Sequence, residues 1–186
     1  MREGECWVEP DGEPRGALLV LPGSSGRVQV DRCRVLAAHG YVALSPRWFG
    51  GAKAPGQLRE VPVESFAPHL DRLAALGTPE LGVVGTSFGA VAALLLGIAD
   101  ERVDTVVALA PSHVVWAAPV LTEDGRPVAA SSFSWRGDPL HFRPTVDQTR
   151  SSVQNARNPS LSPRVTAAFA CCRMLLFSSD MKSLLG

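Results

Sequence analysis

Apolar residues along the chain fall into two alternating patterns, short unbroken runs and runs spaced by three or four, and the alternation predicts strands followed by helices. Residues 16–22 form a continuous apolar stretch that ends in the turn sequence Pro22-Gly23-Ser24-Ser25-Gly26, and a helical pattern follows from about Asp31 to His39. Gly40 suits the end of that helix, and residues 41–45 read as the next strand. Phe66, Leu70 and Leu73 lie at i, i+4 and i+7, which predicts a second helix within residues 63–76. Leu81, Val83 and Val84 follow the turn-like Gly77-Thr78-Pro79 and suit a strand buried on both faces, whereas Val91, Leu94, Leu95 and Ile98 recur with the spacing of an amphipathic helix. Residues 103–110 and 174–180 are further strand candidates.

Such an alternation predicts a mostly parallel sheet with helices on both faces, joined by right-handed crossovers, with ligands bound beyond the carboxyl ends of the strands. Residues 22–26, Ser87 and Pro111-Ser112-His113 all fall on that rim. From Pro111 to about Pro144 the periodicity weakens, and Trp116, Phe133, Trp135 and Phe142 are interspersed with prolines and charges. This stretch reads as an insertion over the rim, at about residues 111–165, whose aromatic rings either line a pocket or pack on the domain surface.

With 186 residues, 46% of them hydrophobic, the chain is long enough for one substantial core and is most simply a single domain. Eighteen basic and eighteen acidic side chains cancel, so no net field favours nucleic acid or an anionic membrane, and a small-molecule partner is expected. The amino terminus lacks the apolar core of a secretion signal and no later run reaches spanning length, which points to a cytoplasmic protein. Cys6, Cys33, Cys171 and Cys172 have neither metal-ligand spacing nor the density of a disulfide framework, so reduced thiols are expected and neither a metal nor another cofactor is called for.

The chemistry centres on Gly85-Thr86-Ser87-Phe88-Gly89, a Gly-x-Ser-x-Gly between the predicted strand and the predicted helix. A strand that reverses into a helix within one or two residues strains its central residue, and the flanking glycines let neighbouring backbone approach. Ser87 would then be a nucleophile held out at the sheet edge, with the N–H of Phe88 as one oxyanion donor and the loop carrying Ser24 and Ser25 as the second. The pentapeptide alone is weak, and a surface serine in a structural turn is the competing reading. A serine nucleophile also needs a histidine base and an acid, in the order Ser, acid, His. After Ser87 only His113 and His141 occur, so either would have to be recruited; His39 and His69 precede it and suit structural roles within helices.

Beyond the pentapeptide, residues 36–41 (LAAHGY), 48–51 (WFGG), 82–87 (GVVGTS), 110–116 (APSHVVW) and 134–140 (SWRGDPL) occur collinearly. Together they resemble the carboxyl-terminal domains of the acyl-coenzyme A thioester hydrolase and bile acid-CoA:amino acid N-acyltransferase family, α/β-hydrolases related to dienelactone hydrolase. The resemblance spans about residues 16–144. It implies that Ser87 is the nucleophile, and a serine there, rather than the cysteine of the N-acyltransferase, implies hydrolysis over amide formation. The family often has a basic residue where this chain has Phe88. It places an acid at the tip of the strand in residues 174–180, which here is Asp180, while its second acidic position falls on Met181. It also predicts a further helix, strand and histidine loop beyond Gly186, so the chain reads as an incomplete α/β-hydrolase domain lacking the last strand and helix. Only one of the 17 glycines follows Gly137, which fits a truncated sequence.

Three functions follow as expectations: a serine hydrolase of acyl thioesters or esters working through a Ser87 acyl-enzyme, a dienelactone hydrolase-like carboxylic ester hydrolase, or a catalytically impaired fragment or pseudoenzyme of the same fold. No sequence feature sets the oligomeric state.

Overall fold

The unbroken apolar runs fold as strands and the spaced runs as helices. The computed structural model describes residues 4–50, 58–121, 124–144 and 173–176. In chain order these form β1 (Glu5–Val8), β2 (Gly16–Leu21), α1 (Val30–Ala38), β3 (Tyr41–Pro46), β4 (Val61–Pro62), a 3-10 turn (Val63–Phe66) leading into α2 (Ala67–Ala74), β5 (Leu81–Thr86) and α3 (Phe88–Ala99). They continue with β6 (Thr105–Leu109), β7 (Ala117–Leu121), β8 (Pro127–Ser131), β9 (Phe133–Trp135), β10 (Asp138–Pro139) and β11 (Arg173–Leu176).

The main sheet has the order β1-β3-β2-β5-β6-β11, parallel throughout except for β1, which runs antiparallel along the edge of β3. Successive side chains of a strand point to opposite faces. Leu19, Leu21, Val42, Leu44, Val83 and Val106 accordingly meet Leu70 and Leu73 of α2 and Ala92 and Leu96 of α3 on one face. Their neighbours Val20 and Ala43 meet Cys33 of α1 and Cys6 of β1 on the other. Because both faces are covered, the central strands read as solid apolar runs rather than as alternations. Cys6 and Cys33 are free thiols, and burial, reinforced by the adjacent Cys6 sulfur, pushes the Cys33 thiol up to about 12, so it stays protonated and unreactive at neutral pH. Cys171 and Cys172 lie outside the described residues. No helix among the described residues is long and apolar enough to cross a membrane.

Several elements lack a periodic signal in the sequence because polar contacts, not an apolar stripe, hold them. The Glu5 carboxylate of β1 accepts two bonds from the Arg72 guanidinium of α2, at 2.6 and 3.0 Å, and that guanidinium lies 5.0 Å from the centre of the Trp7 ring. In the stretch after β6, serine hydroxyls satisfy backbone carbonyls: Ser131 donates to Phe133 (2.7 Å), Ser132 to Trp116 (2.6 Å) and Ser134 to Glu60 (2.8 Å). These bonds support the β7–β8 hairpin and the short parallel pair of β4 with β9. Phe133 neither lines a pocket nor packs outside; it is fully buried and stacks on Trp48 at 6.0 Å, next to Phe66. Trp116 is exposed, and Trp135 is half-buried beneath Arg136.

The Glu5 side chain is only 8% exposed, so removing its charge leaves the Arg72 fork partly buried without its partner. Glu5→Gln is expected to lower the unfolding free energy by about 2 kcal/mol, the scale of hydrogen bonds to a charged group. Urea titration of the two chains measures it, and a loss under about 0.5 kcal/mol would mean that β1 is held some other way.

Candidate active site

β5 stops at Thr86 and α3 starts at Phe88, so Ser87 alone turns the chain. It does so with φ 54° and ψ −119°, a region that costs a non-glycine residue about 1–3 kcal/mol. Its N–H donates to the Leu109 carbonyl of β6 at 2.9 Å, and its carbonyl accepts the N–H groups of Ala90 (2.9 Å) and Val91 (3.2 Å). Ser87 is thus the last residue of the sheet ladder and the residue that opens the helix.

The glycines around it explain why the turn is possible. A Cβ on Gly85 would overlap the Gly89 carbonyl and lie 2.7 Å from Ala90 Cα, and one on Gly89 would overlap the carbonyls of Leu21 and Pro22. Helix α3 therefore rests backbone to backbone on the ends of β5 and β2. Gly23 completes the contact, since a Cβ there would come within 3.1 Å of the Thr86 carbonyl and 3.3 Å of Ser87 Cβ. The Pro22 carbonyl is fixed in turn by the Trp48 indole N–H at 3.3 Å.

Ser87 is exposed on the carboxyl rim, and among the described residues nothing hydrogen-bonds to its hydroxyl. Phe88 and Gly89 are the first two residues of α3, so their N–H groups have no carbonyl within the helix, and no side chain caps that end. Those two amides are donors available to an anion beside Ser87. Residues 23–26 form a turn closed by the Gly26 N–H on the Gly23 carbonyl at 3.0 Å, with Gly26 at φ 62° against Phe49. Ser24 and Ser25 stand exposed in this turn, whereas Gly23 is the residue that reaches Ser87. The sequence offers Ser24 and Ser25 as the residues of this loop whose N–H groups could serve the site; the close approach to Ser87 itself is made by Gly23.

His113 and His141 are both exposed, and neither bonds to Ser87. They nonetheless leave related places. Ala110, at φ 51°, turns the chain out of β6 into Pro111-Ser112-His113, and the Arg143 N–H donates to the Val115 carbonyl at 2.8 Å, so the segments carrying the two imidazoles run side by side. Asp180 lies outside the described residues. His39 caps α1 and His69 sits within α2. One group near the site carried no signal in the sequence. Arg32, in the first turn of α1, reaches the Thr86 hydroxyl at 2.6 Å, and burial draws its guanidinium below its ordinary pKa.

A strand-serine-helix reversal flanked by glycines, on the rim of a parallel sheet with an antiparallel edge strand, decides the architecture. The fold is that of the α/β-hydrolases. Ester and thioester hydrolases are among the enzymes built on it. No family model matches the chain. Acyl-coenzyme A amino acid N-acyltransferase 1 of Mus musculus is 27% identical over 124 residues, covering 65% of this chain and 30% of the mouse protein. The chain thus spans less than a third of that relative's length. Among solved structures, MenH from S. aureus is 17% identical with a TM-score of 0.48, over 61% of this chain and 44% of MenH. A dienelactone-hydrolase-like protein of Klebsiella pneumoniae is 16% identical with a TM-score of 0.48, over 67% and 59% of the two chains. The esterase domain of a Rhodothermus marinus protein is 19% identical with a TM-score of 0.46, over 67% and 57%.

Two substitutions test the turn without reference to chemistry. Gly85→Ala is expected to cost more than about 3 kcal/mol, because backbone rather than a flexible side chain blocks the new methyl group. Gly12→Ala, with nothing within 4 Å, should stay within about 0.5 kcal/mol of the wild type in the same denaturation assay. Ser87→Gly should do the opposite of Gly85→Ala and raise stability by about 1 kcal/mol, since glycine adopts positive φ without the steric penalty and part of the gain is offset by its freer unfolded chain. A destabilised Ser87→Gly chain would contradict the strain assigned to that residue.

Proposed function

We propose that the chain is a serine-dependent hydrolase of acyl thioesters or esters that works through an acyl-enzyme on Ser87. The observation that carries this reading is the strained, exposed Ser87 at the rim with the uncapped amides of α3 beside it. Residues at such sparsely populated backbone angles cluster at functional sites. In the proposed reaction Ser87 Oγ attacks the acyl carbonyl carbon, and the Phe88 N–H together with an amide of the turn at residues 23–26, at Ser24 or Ser25, holds the developing oxyanion. Collapse of the tetrahedral intermediate breaks the bond to the thiol or alcohol, which leaves with a proton. Water then repeats the attack on the acyl-serine and releases the free acid.

A base must take the Ser87 proton. Either His113 or His141 is proposed for this role, supported by the pairing of their segments beside the rim, with Asp180 proposed as the acid. The stretch at about residues 111–165 is read as an insertion serving that site. The similarity to a mouse acyl-coenzyme A amino acid N-acyltransferase supports an acyl-coenzyme A thioester as the substrate class, and a serine nucleophile supports water as the acceptor. A dienelactone hydrolase-like carboxylic ester hydrolase is the variant of this reading with an oxygen ester as substrate. The second reading, a catalytically impaired form of the same fold, is favoured by one observation: no imidazole among the described residues bonds to the Ser87 hydroxyl.

A fluorophosphonate probe separates the two. The wild-type chain is expected to label at Ser87, and Ser87→Ala should reduce labelling at least about 100-fold, to the level of the unfolded chain. A well-folded wild-type chain that fails to label would contradict the hydrolase and favour the impaired form. Comparing His113→Ala with His141→Ala then identifies the base by which substitution slows labelling.

A further inference from the structure

Several arginines of this chain face a carboxylate. Arg34 pairs with Asp31, Arg72 with Glu5, and Arg102 with both Asp71 and Asp100. Arg32 differs. It points from the first turn of α1 toward the end of β5, and its partner there is neutral, the Thr86 hydroxyl at 2.6 Å. The residue is half-buried, and among the described residues no carboxylate lies within 4.0 Å of it. Holding a guanidinium partly out of water without a counter-charge is unfavourable, which is why burial lowers its pKa; the group nevertheless stays protonated at any working pH. Such an arrangement persists where something else gains from it.

Its position indicates what gains. Thr86 is the residue immediately before Ser87, and α1 begins just after the turn whose Gly23 touches Ser87. The cation therefore ties α1, which follows the turn beside Ser87, to the residue that precedes Ser87. A guanidinium offers five N–H donors in a planar fork, and one bond to a hydroxyl leaves most of that fork to a two-oxygen anion. The formal net charge of the whole chain is zero, so selection of a charged ligand has to come from a local group such as this one.

We propose that Arg32 is the anion-binding group of the Ser87 site, taking a carboxylate or phosphate carried by the substrate in a forked contact. This deepens the hydrolase reading and rests on it only in taking the rim at Ser87 as the place where substrate sits. A carboxylate would belong to the acyl part of the substrate, whereas a phosphate would belong to its leaving group.

Isothermal titration of the intact chain with inorganic phosphate and, separately, with monomethyl succinate at fixed ionic strength tests the assignment. At least one anion should bind, and which binds more tightly identifies the part of the substrate that carries the charge. Arg32→Gln is expected to raise that Kd about tenfold or more, the loss of one charge-assisted contact, while Arg34→Gln on the same helix leaves it unchanged. If Arg32→Gln does not fold, Arg32→Lys carries the test, because it keeps the charge, loses the fork and should raise the Kd about threefold or more. The proposal is overturned if the wild type binds neither anion, or if the Arg32 and Arg34 variants weaken binding equally. Fluorophosphonate labelling of the same preparations keeps the two ideas apart. Arg32-dependent anion binding without Ser87 labelling removes the hydrolase reading and leaves the anion site, and labelling without anion binding does the reverse.

Discussion

At the end of β5 three passes of backbone come so close that no side chain fits between them. The carbonyls of Leu21 and Pro22 occupy the space where Gly89 would carry a Cβ, and the Gly89 carbonyl occupies the corresponding space at Gly85. With α3 pressed this tightly onto the sheet, the chain has one residue in which to change from strand to helix, and that residue takes a backbone conformation that side chains disfavour. The exposed hydroxyl and the uncapped amides beside it are consequences of this contact. Widening it would let the turn relax into two or three ordinary residues, and the serine would then lose its place.

The remaining structure keeps that contact closed. β2 supplies the two carbonyls and is itself locked between β3 and β5 in a sheet covered by α2 and α3 on one face and by α1 on the other. Trp48, placed just beyond β3, holds the Pro22 carbonyl through its indole N–H and packs on Phe49, Phe66 and Phe133. The irregular stretch after β6 thereby contributes one buried ring to the main core, next to the loop that reaches Ser87. Arg32 adds a polar tie between α1 and Thr86, the residue preceding Ser87. Strand ends, aromatic cluster and helix thus bear on the same few atoms from different directions.

Much of this was legible in the sequence, for a physical reason. Strands buried on both faces and helices with one apolar face leave a periodic record, so β2, β3, β5, β6, α1, α2 and α3 follow from spacing alone. Gly85 and Gly89 were legible too, because close backbone approach selects glycine and the strand-helix context gives the spacing its meaning. Elements held by polar contacts left no such record. β1 depends on Glu5 meeting Arg72, 67 positions away, and the segment with Ser131, Ser132 and Ser134 depends on hydroxyls finding distant carbonyls. The loop at residues 22–26 was legible as a neighbour of Ser87, but its close approach through Gly23 was not, because sequence shows which residues could bond and not which one touches. Arg32 is one of 18 basic residues, and only the fold reveals that it faces a hydroxyl rather than a carboxylate.

The site therefore has its strained position and its amide donors built into the backbone, while the base proposed for it, His113 or His141, lies on separate segments. That division makes the backbone at residue 87 the point on which everything else stands. The most direct measurement is the intraresidue amide-to-Hα NOE of Ser87 in the native chain, calibrated against helical and strand residues of the same protein. A strong cross-peak, the mark of a short distance at positive φ, is the result expected for the turn described. A weak one, matching ordinary helix or strand residues, would mean that Ser87 is not strained, and the account of the site would fail with it.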